Sequence, residues 1–147
     1  MYYVDHEQIK RRLDFIPSLK QGCAELMSAW SGKSGAGNGT LLLSWAQERL
    51  LHLAIETVTD VGSLLIDAFM MRDASSYEDI VDVLYGEGVF DRETAAVLKE
   101  LVALRRALVQ EYTDLPRDGL HELVAKLPGA LERFAEAVPA FISKEMV

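Results

Sequence analysis

LLLSWAQERLLHLAIETVTDVGSLLIDAFMM, residues 41–71, is the stretch whose reading decides the fold. It holds no proline and a single glycine, Gly62, and its apolar residues fall on most sides of a helix, as they must where neighbours pack all round. A long central helix is the consequence. Its remaining polar positions are therefore the informative ones.

Upstream, Ser31 to Thr40 carries four glycines and breaks all periodicity, which predicts a mobile loop between helices. Gly32-Lys33-Ser34 echoes the end of a phosphate-binding loop, but the first glycine of that motif would fall at Met27 and no strand precedes it, so a nucleoside triphosphate site is rejected. Before the loop, Ile9, Leu13, Ile16, Cys23, Met27 and Trp30 recur at three, four and seven, one face of a first helix between Asp5 and Trp30 that Pro17 should kink.

Downstream, Ser75 with Glu78 three positions on reads as a capping box for a short helix, and Gly86 offers its left-handed stop. Asp91 is the expected N-cap of a helix running through Tyr112. Asp118 should cap a last helix whose Leu120, Val124, Leu127, Leu131, Phe134, Val138 and Phe141 form a near-heptad stripe, bent at Pro128 and Pro139. No segment alternates apolar and polar residues in the manner of a strand. The fold class is all-α, an antiparallel bundle of four long helices and one short one, with residues 1–147 forming one domain. The stripes on the first and last helices exceed what one small bundle needs to cover, which predicts a homodimer.

No apolar run approaches the roughly 20 residues of a membrane span, and the start, Met1-Tyr2-Tyr3-Val4-Asp5-His6, lacks a signal-peptide layout. Cytoplasmic location without membrane attachment is the expectation. Cys23 is the only cysteine, consistent with a reducing compartment and a buried structural thiol. A formal net charge of -8 opposes broad nucleic-acid binding, so any RNA contact must be a small positive site on an acidic body. Lys10-Arg11-Arg12 and Arg105-Arg106 are the two basic groups, the first read as a solvated helix face.

Glu48, His52, Glu56 and Asp60 lie four apart on the central helix, each turned about 40° from the last, so they form one slowly turning strip. Carboxylates beside apolar surface must be paired, hydrogen-bonded or protonated, so Glu56 and Asp60 either bond structural partners or face a wet cleft. His52 and Glu56 could share a metal ion, but no second histidine accompanies them, and a metal-free site is favoured. His6 and His121 read as surface residues near helix starts.

Arg105-Arg106-Ala107-Leu108-Val109-Gln110-Glu111-Tyr112 is the second informative stretch. On a straight helix Arg105 and Tyr112 sit within about 20° of one face while Gln110 is about 140° from Arg105, so convergence needs a distorted helix end or a second protomer. Arg105 offers a planar fork suited to phosphate, and Tyr112 a hydroxyl and a stacking face.

At these residues, together with Glu48 to Gly62, Ser76-Tyr77-Glu78-Asp79-Ile80 and Gly86-Glu87-Gly88-Val89, the chain resembles the HepT-like branch of the HEPN superfamily, the toxin half of bacterial toxin–antitoxin pairs. The resemblance covers nearly the whole chain. It implies a homodimer that cuts RNA without metal or other cofactor in a cleft shared by both subunits, where an arginine, four intervening residues, a histidine and a tyrosine act together. Arg105 and Tyr112 match that pattern. Arg106 replaces the usual asparagine, and Gln110 replaces the histidine; an amide exchanges no proton near neutral pH, so the acid-base role does not carry over. Arg105, Gln110 and Tyr112 are thus the implied catalytic set, with Arg106, Glu56 and Asp60 as substrate-binding neighbours, the two carboxylates supporting Arg105. The resemblance also implies a partner, a minimal nucleotidyltransferase antitoxin that attaches AMP to Tyr112. Two functions follow: a ribonuclease-type toxin, or a non-catalytic RNA- or nucleotide-binding dimeric module that has lost proton transfer.

Overall fold

Asp5 begins the first helix by accepting the backbone N–H of Gln8 at 3.1 Å, one of the donors a helix start leaves orphaned. In the computed structural model, which describes residues 2–32 and 40–147, α1 is His6–Leu13 and α2 is Ile16–Ser31. The expected single helix is therefore two. Pro17 lies in the first turn of α2, where its missing N–H costs nothing, whereas mid-helix it would remove a bond and clash with the carbonyl four residues back. The glycine-rich stretch expected as a loop falls at 33–39, outside the described residues.

The central helix is α3, Thr40–Ala68, and α4 is Tyr77–Gly86. Ser76, rather than Ser75, caps α4 by accepting the Asp79 N–H at 3.0 Å. The shift of one residue has a visible cause. Asp79 takes a two-pronged bond from Arg72 (2.7 and 2.9 Å) and further bonds from the Ser75 N–H and hydroxyl, which occupies Ser75 and fixes the turn. Gly86 stays helical, and the left-handed residue is Gly88, at φ 82°.

The helix expected from Asp91 to Tyr112 is divided. α5 is Arg92–Val102, capped as expected by Asp91, whose carboxylate accepts the Thr94 N–H at 2.8 Å; α6 is Arg105–Gln110, and a 3-10 turn follows at Tyr112–Asp114. Neither proline nor glycine marks the break. The chain turns at Ala103–Leu104 with the Leu104 N–H bonded three residues back to Leu101, and Leu104 and Leu108 then pack against the core that holds Leu98 and Leu101.

α7 is Leu123–Glu145, starting four residues later than Asp118 as its cap would require. Gln47 of α3 explains the delay: its side-chain amide donates to the Gly119 carbonyl at 3.2 Å and its carbonyl accepts the His121 N–H at 2.7 Å, holding that backbone outside a helix. α7 stays continuous through Pro128 and Pro139. Each interior proline costs roughly 3 kcal/mol. Leu127, Leu131, Phe134 and Val138 are wholly buried, and at about 1.5–3 kcal/mol apiece their packing offsets that cost.

All elements among the described residues are helical, and one cluster of buried apolar side chains joins them. α3 touches α1, α2, α4, α5 and α6, as its all-round apolarity requires, while α7 packs on α2 and α5. The apolar stripes of the first and last helices are thus spent on each other. The surplus apolar surface lies elsewhere, at Leu41, Leu42 and Trp45 on the first turns of α3, each at least half exposed.

Candidate functional site around Arg105

Arg105 opens α6 and reaches across to α3 and α4. Its guanidinium carbon stands 3.8 Å from the centre of the Tyr77 ring, a cation–π contact from the first residue of α4. Its Nε lies 3.8 Å from Glu56 Oε1 on α3, is sealed from solvent, and makes no hydrogen bond among the described residues. A guanidinium held by a ring face and a carboxylate, with its Nε sealed and unsatisfied, bears a desolvation cost, while the side chain as a whole stays a quarter exposed and brings a fixed positive charge to the surface.

Glu56 Oε1 also lies beside a histidine. His52 Nε2 is 3.4 Å from that same oxygen, and His52 Nδ1 is 3.4 Å from Arg49 Nη1. Arg49, His52, Glu56 and Arg105 thus form one chain of contacts, with His52 and Glu56 about a third exposed and Arg105 a quarter. Among the described residues no group of three or more His, Cys, Asp and Glu side chains is arranged to hold a metal.

The other carboxylates of the strip turn elsewhere. Asp60 accepts from Arg12 Nε of α1 at 3.3 Å. Glu48 binds Arg117 through two bonds, 2.8 and 3.0 Å, and Arg117 also donates to the Tyr112 carbonyl at 2.7 Å. Arg117 therefore pins the 3-10 turn that carries Tyr112 onto the central helix. Arg106 faces outward to Glu111 at 3.5 Å, and Lys10 to Asp14 at 2.6 Å.

Gln110 is the last residue of α6 and is exposed; Tyr112 follows a non-helical Glu111 and is 57% exposed. The helix end is distorted, but no hydrogen bond, ion pair or ring contact joins Arg105 to Gln110 or Tyr112. Within the chain the structure brings together Arg105, Glu56, His52 and Tyr77, and leaves Gln110 and Tyr112 on the open surface beyond. Tyr77 and Arg117 were not legible as site residues, because stacking across α4–α6 and a clamp across 69 residues leave no local spacing.

The comparisons agree with this fold. The HepT-like ribonuclease family matches residues 33–138. YutE of Bacillus subtilis (strain 168), provisionally assigned as an RNase, is 32% identical over 146 residues, 99% of this chain and 95% of that one. The solved structure of YutE, described as a cytosolic protein, superposes with a TM-score of 0.80 over 99% of this chain and 95% of that chain. A toxin–antitoxin structure with AMP-PNP shares the fold at a TM-score of 0.64 and 15% identity, covering 88% of this chain and 96% of its own.

Proposed function

The chain belongs to the HepT-like ribonuclease family, and from that membership we propose that it is a metal-independent endoribonuclease, the toxin component of a toxin–antitoxin pair, acting in the cytoplasm as a homodimer. The observation that carries the reading is Arg105, a partly exposed guanidinium braced by Tyr77 and Glu56. Its charge would stabilise the extra negative charge that builds on a phosphate under attack by the neighbouring ribose 2'-hydroxyl. Gln110 and Tyr112 line the approach, Gln110 as a hydrogen-bonding group and Tyr112 as a ring for a base, with Arg106 as an outer cation, while Asp60, bonded to Arg12, takes no part. Exposed Leu41, Leu42 and Trp45 support burial against a second copy. No helix among the described residues is long and apolar enough to cross a membrane.

Regulation follows from the same surface. A structure of the same fold is that of a toxin–antitoxin pair with AMP-PNP, and the exposed hydroxyl of Tyr112 is open to a nucleotidyltransferase partner that would attach AMP there. Added bulk and charge would compete with RNA for the cations of α6.

The identity of Gln110 favours a second reading, a dimeric module that binds RNA or nucleotide without cutting it. Incubating purified protein with mixed RNA in EDTA separates the two: fragments formed by wild type and absent with Arg105→Ala support the nuclease, while RNA binding with no fragments supports the module. Neither binding nor cleavage above the Arg105→Ala control overturns both.

A further inference from the structure

Resting on the nuclease reading above, we propose that His52 is the proton-transfer group of this chain, taking the role that Gln110 cannot fill, because His52 shares the oxygen of Glu56 with Arg105. The other two imidazoles are placed differently. His121 Nδ1 already accepts the Leu123 N–H at 3.0 Å, and His6 opens α1 beside α7, in the groove formed with Pro139 and Ile142. Of the three, only His52 approaches the same carboxylate oxygen as the arginine.

The surroundings of His52 fix which nitrogen can act. A guanidinium is always protonated, so Nδ1, 3.4 Å from Arg49 Nη1, is the ring nitrogen that carries a lone pair. The N–H is then on Nε2, which lies 3.4 Å from Glu56 Oε1, close but without a formed hydrogen bond. A carboxylate behind an N–H, with a basic nitrogen on the far side of the ring, is the arrangement that orients an imidazole and steadies the imidazolium it becomes. Arg49 is exposed and can turn onto a phosphate, which uncovers Nδ1 for the substrate.

In the proposed step Nδ1 takes the proton of the ribose 2'-hydroxyl as the 2'-oxygen bonds to the adjacent phosphorus. The bond from phosphorus to the 5'-oxygen breaks, the departing oxygen takes a proton from water, and the products are a 2',3'-cyclic phosphate and a 5'-hydroxyl. The imidazolium returns its proton to solvent, and Arg105 and Arg49 hold the phosphate oxygens.

The test compares wild type, His52→Gln and Arg105→Ala on one RNA in EDTA, with RNA affinity measured beside the cleavage rate and folding checked by circular dichroism. His52→Gln should slow cleavage by about 100- to 10,000-fold, the usual worth of general acid-base assistance, while affinity for RNA holds. In the His52→Gln background, Gln110→His should recover cleavage. Cleavage by folded His52→Gln at the wild-type rate, or a fall in affinity that accounts for the slower rate, overturns the assignment of His52 alone. A wild type that cuts no faster than Arg105→Ala removes the nuclease reading and the role of His52 with it.

Discussion

Replacing Gly62 with alanine should destabilise the fold and loosen the site, although alanine is the better helix former. A Cβ built at Gly62 would stand 2.5 Å from Ile80 Cγ2 and 3.2 Å from Leu84 Cδ1. Both neighbours are buried, Leu84 completely, and the branched Ile80 has little rotamer freedom to yield. Relief of glycine's backbone entropy inside a helix is worth roughly 1 kcal/mol, whereas forcing a methyl into a packed core costs about 1–3 kcal/mol. The balance is a net loss on the order of 1 kcal/mol, measurable by urea unfolding followed at 222 nm. The consequence reaches function because Ile80 lies one turn from Tyr77, whose ring braces Arg105, so RNA affinity should fall with stability. Ile80→Ala removes the obstructing methyl, and the double variant should be more stable than the sum of the two single losses by about 1 kcal/mol. A Gly62→Ala protein that is stabilised by the full propensity gain would refute the close approach of α3 and α4.

Tyr77→Ala should lower stability by about 1 kcal/mol through loss of the ring under Arg105, while Tyr77→Phe, which keeps the ring, should match wild type in both stability and RNA binding; equal behaviour of the two variants in chemical denaturation contradicts the stack. Burial pushes the Cys23 thiol up to about 11, so a thiol reagent at pH 7 should label it only on unfolding, and rapid labelling of native protein excludes the packing of α2 described above. The Arg72 guanidinium, with help from the Ser75 N–H and hydroxyl, holds the Asp79 carboxyl well below the usual carboxylate range. A depressed carboxyl contributes stability above its unfolded value near 3.9 and loses it as pH falls toward its folded value, so wild type should lose melting temperature below about pH 4 more steeply than Asp79→Asn. Parallel melting curves for the two proteins across that range count against the clamp.

The all-helical class was readable in residues 41–71, whose lack of proline and all-round apolarity match an α3 contacted by five other helices. Boundaries were readable only where a local bond sets them. Asp91 caps α5 as its position suggests, but Ser75-Ser76 and Glu78-Asp79 permit two registers, and Arg72 decides between them from outside the motif. The turn at Ala103–Leu104 has no breaker residue, being chosen by the core that receives Leu104 and Leu108, and the late start of α7 depends on Gln47 from 72 and 74 residues away. The apolar stripes read as surplus are complementary faces of α2 and α7, a pairing that no single helix displays. At the site, the spacing of Glu48, His52, Glu56 and Asp60 gave a shared strip, but which carboxylate meets Arg105 depends on where α1 and residue 117 bring their own arginines.

A crystal structure of the protein bound to a short 2'-O-methyl RNA, which carries the phosphate but cannot supply the attacking hydroxyl, tests the central claim most directly. The account predicts a phosphate within hydrogen-bonding distance of the Arg105 guanidinium, with the blocked 2'-oxygen toward His52 and Gln110 and Tyr112 at the rim. RNA bound on another face, with Arg105 still facing only Tyr77 and Glu56, would contradict it.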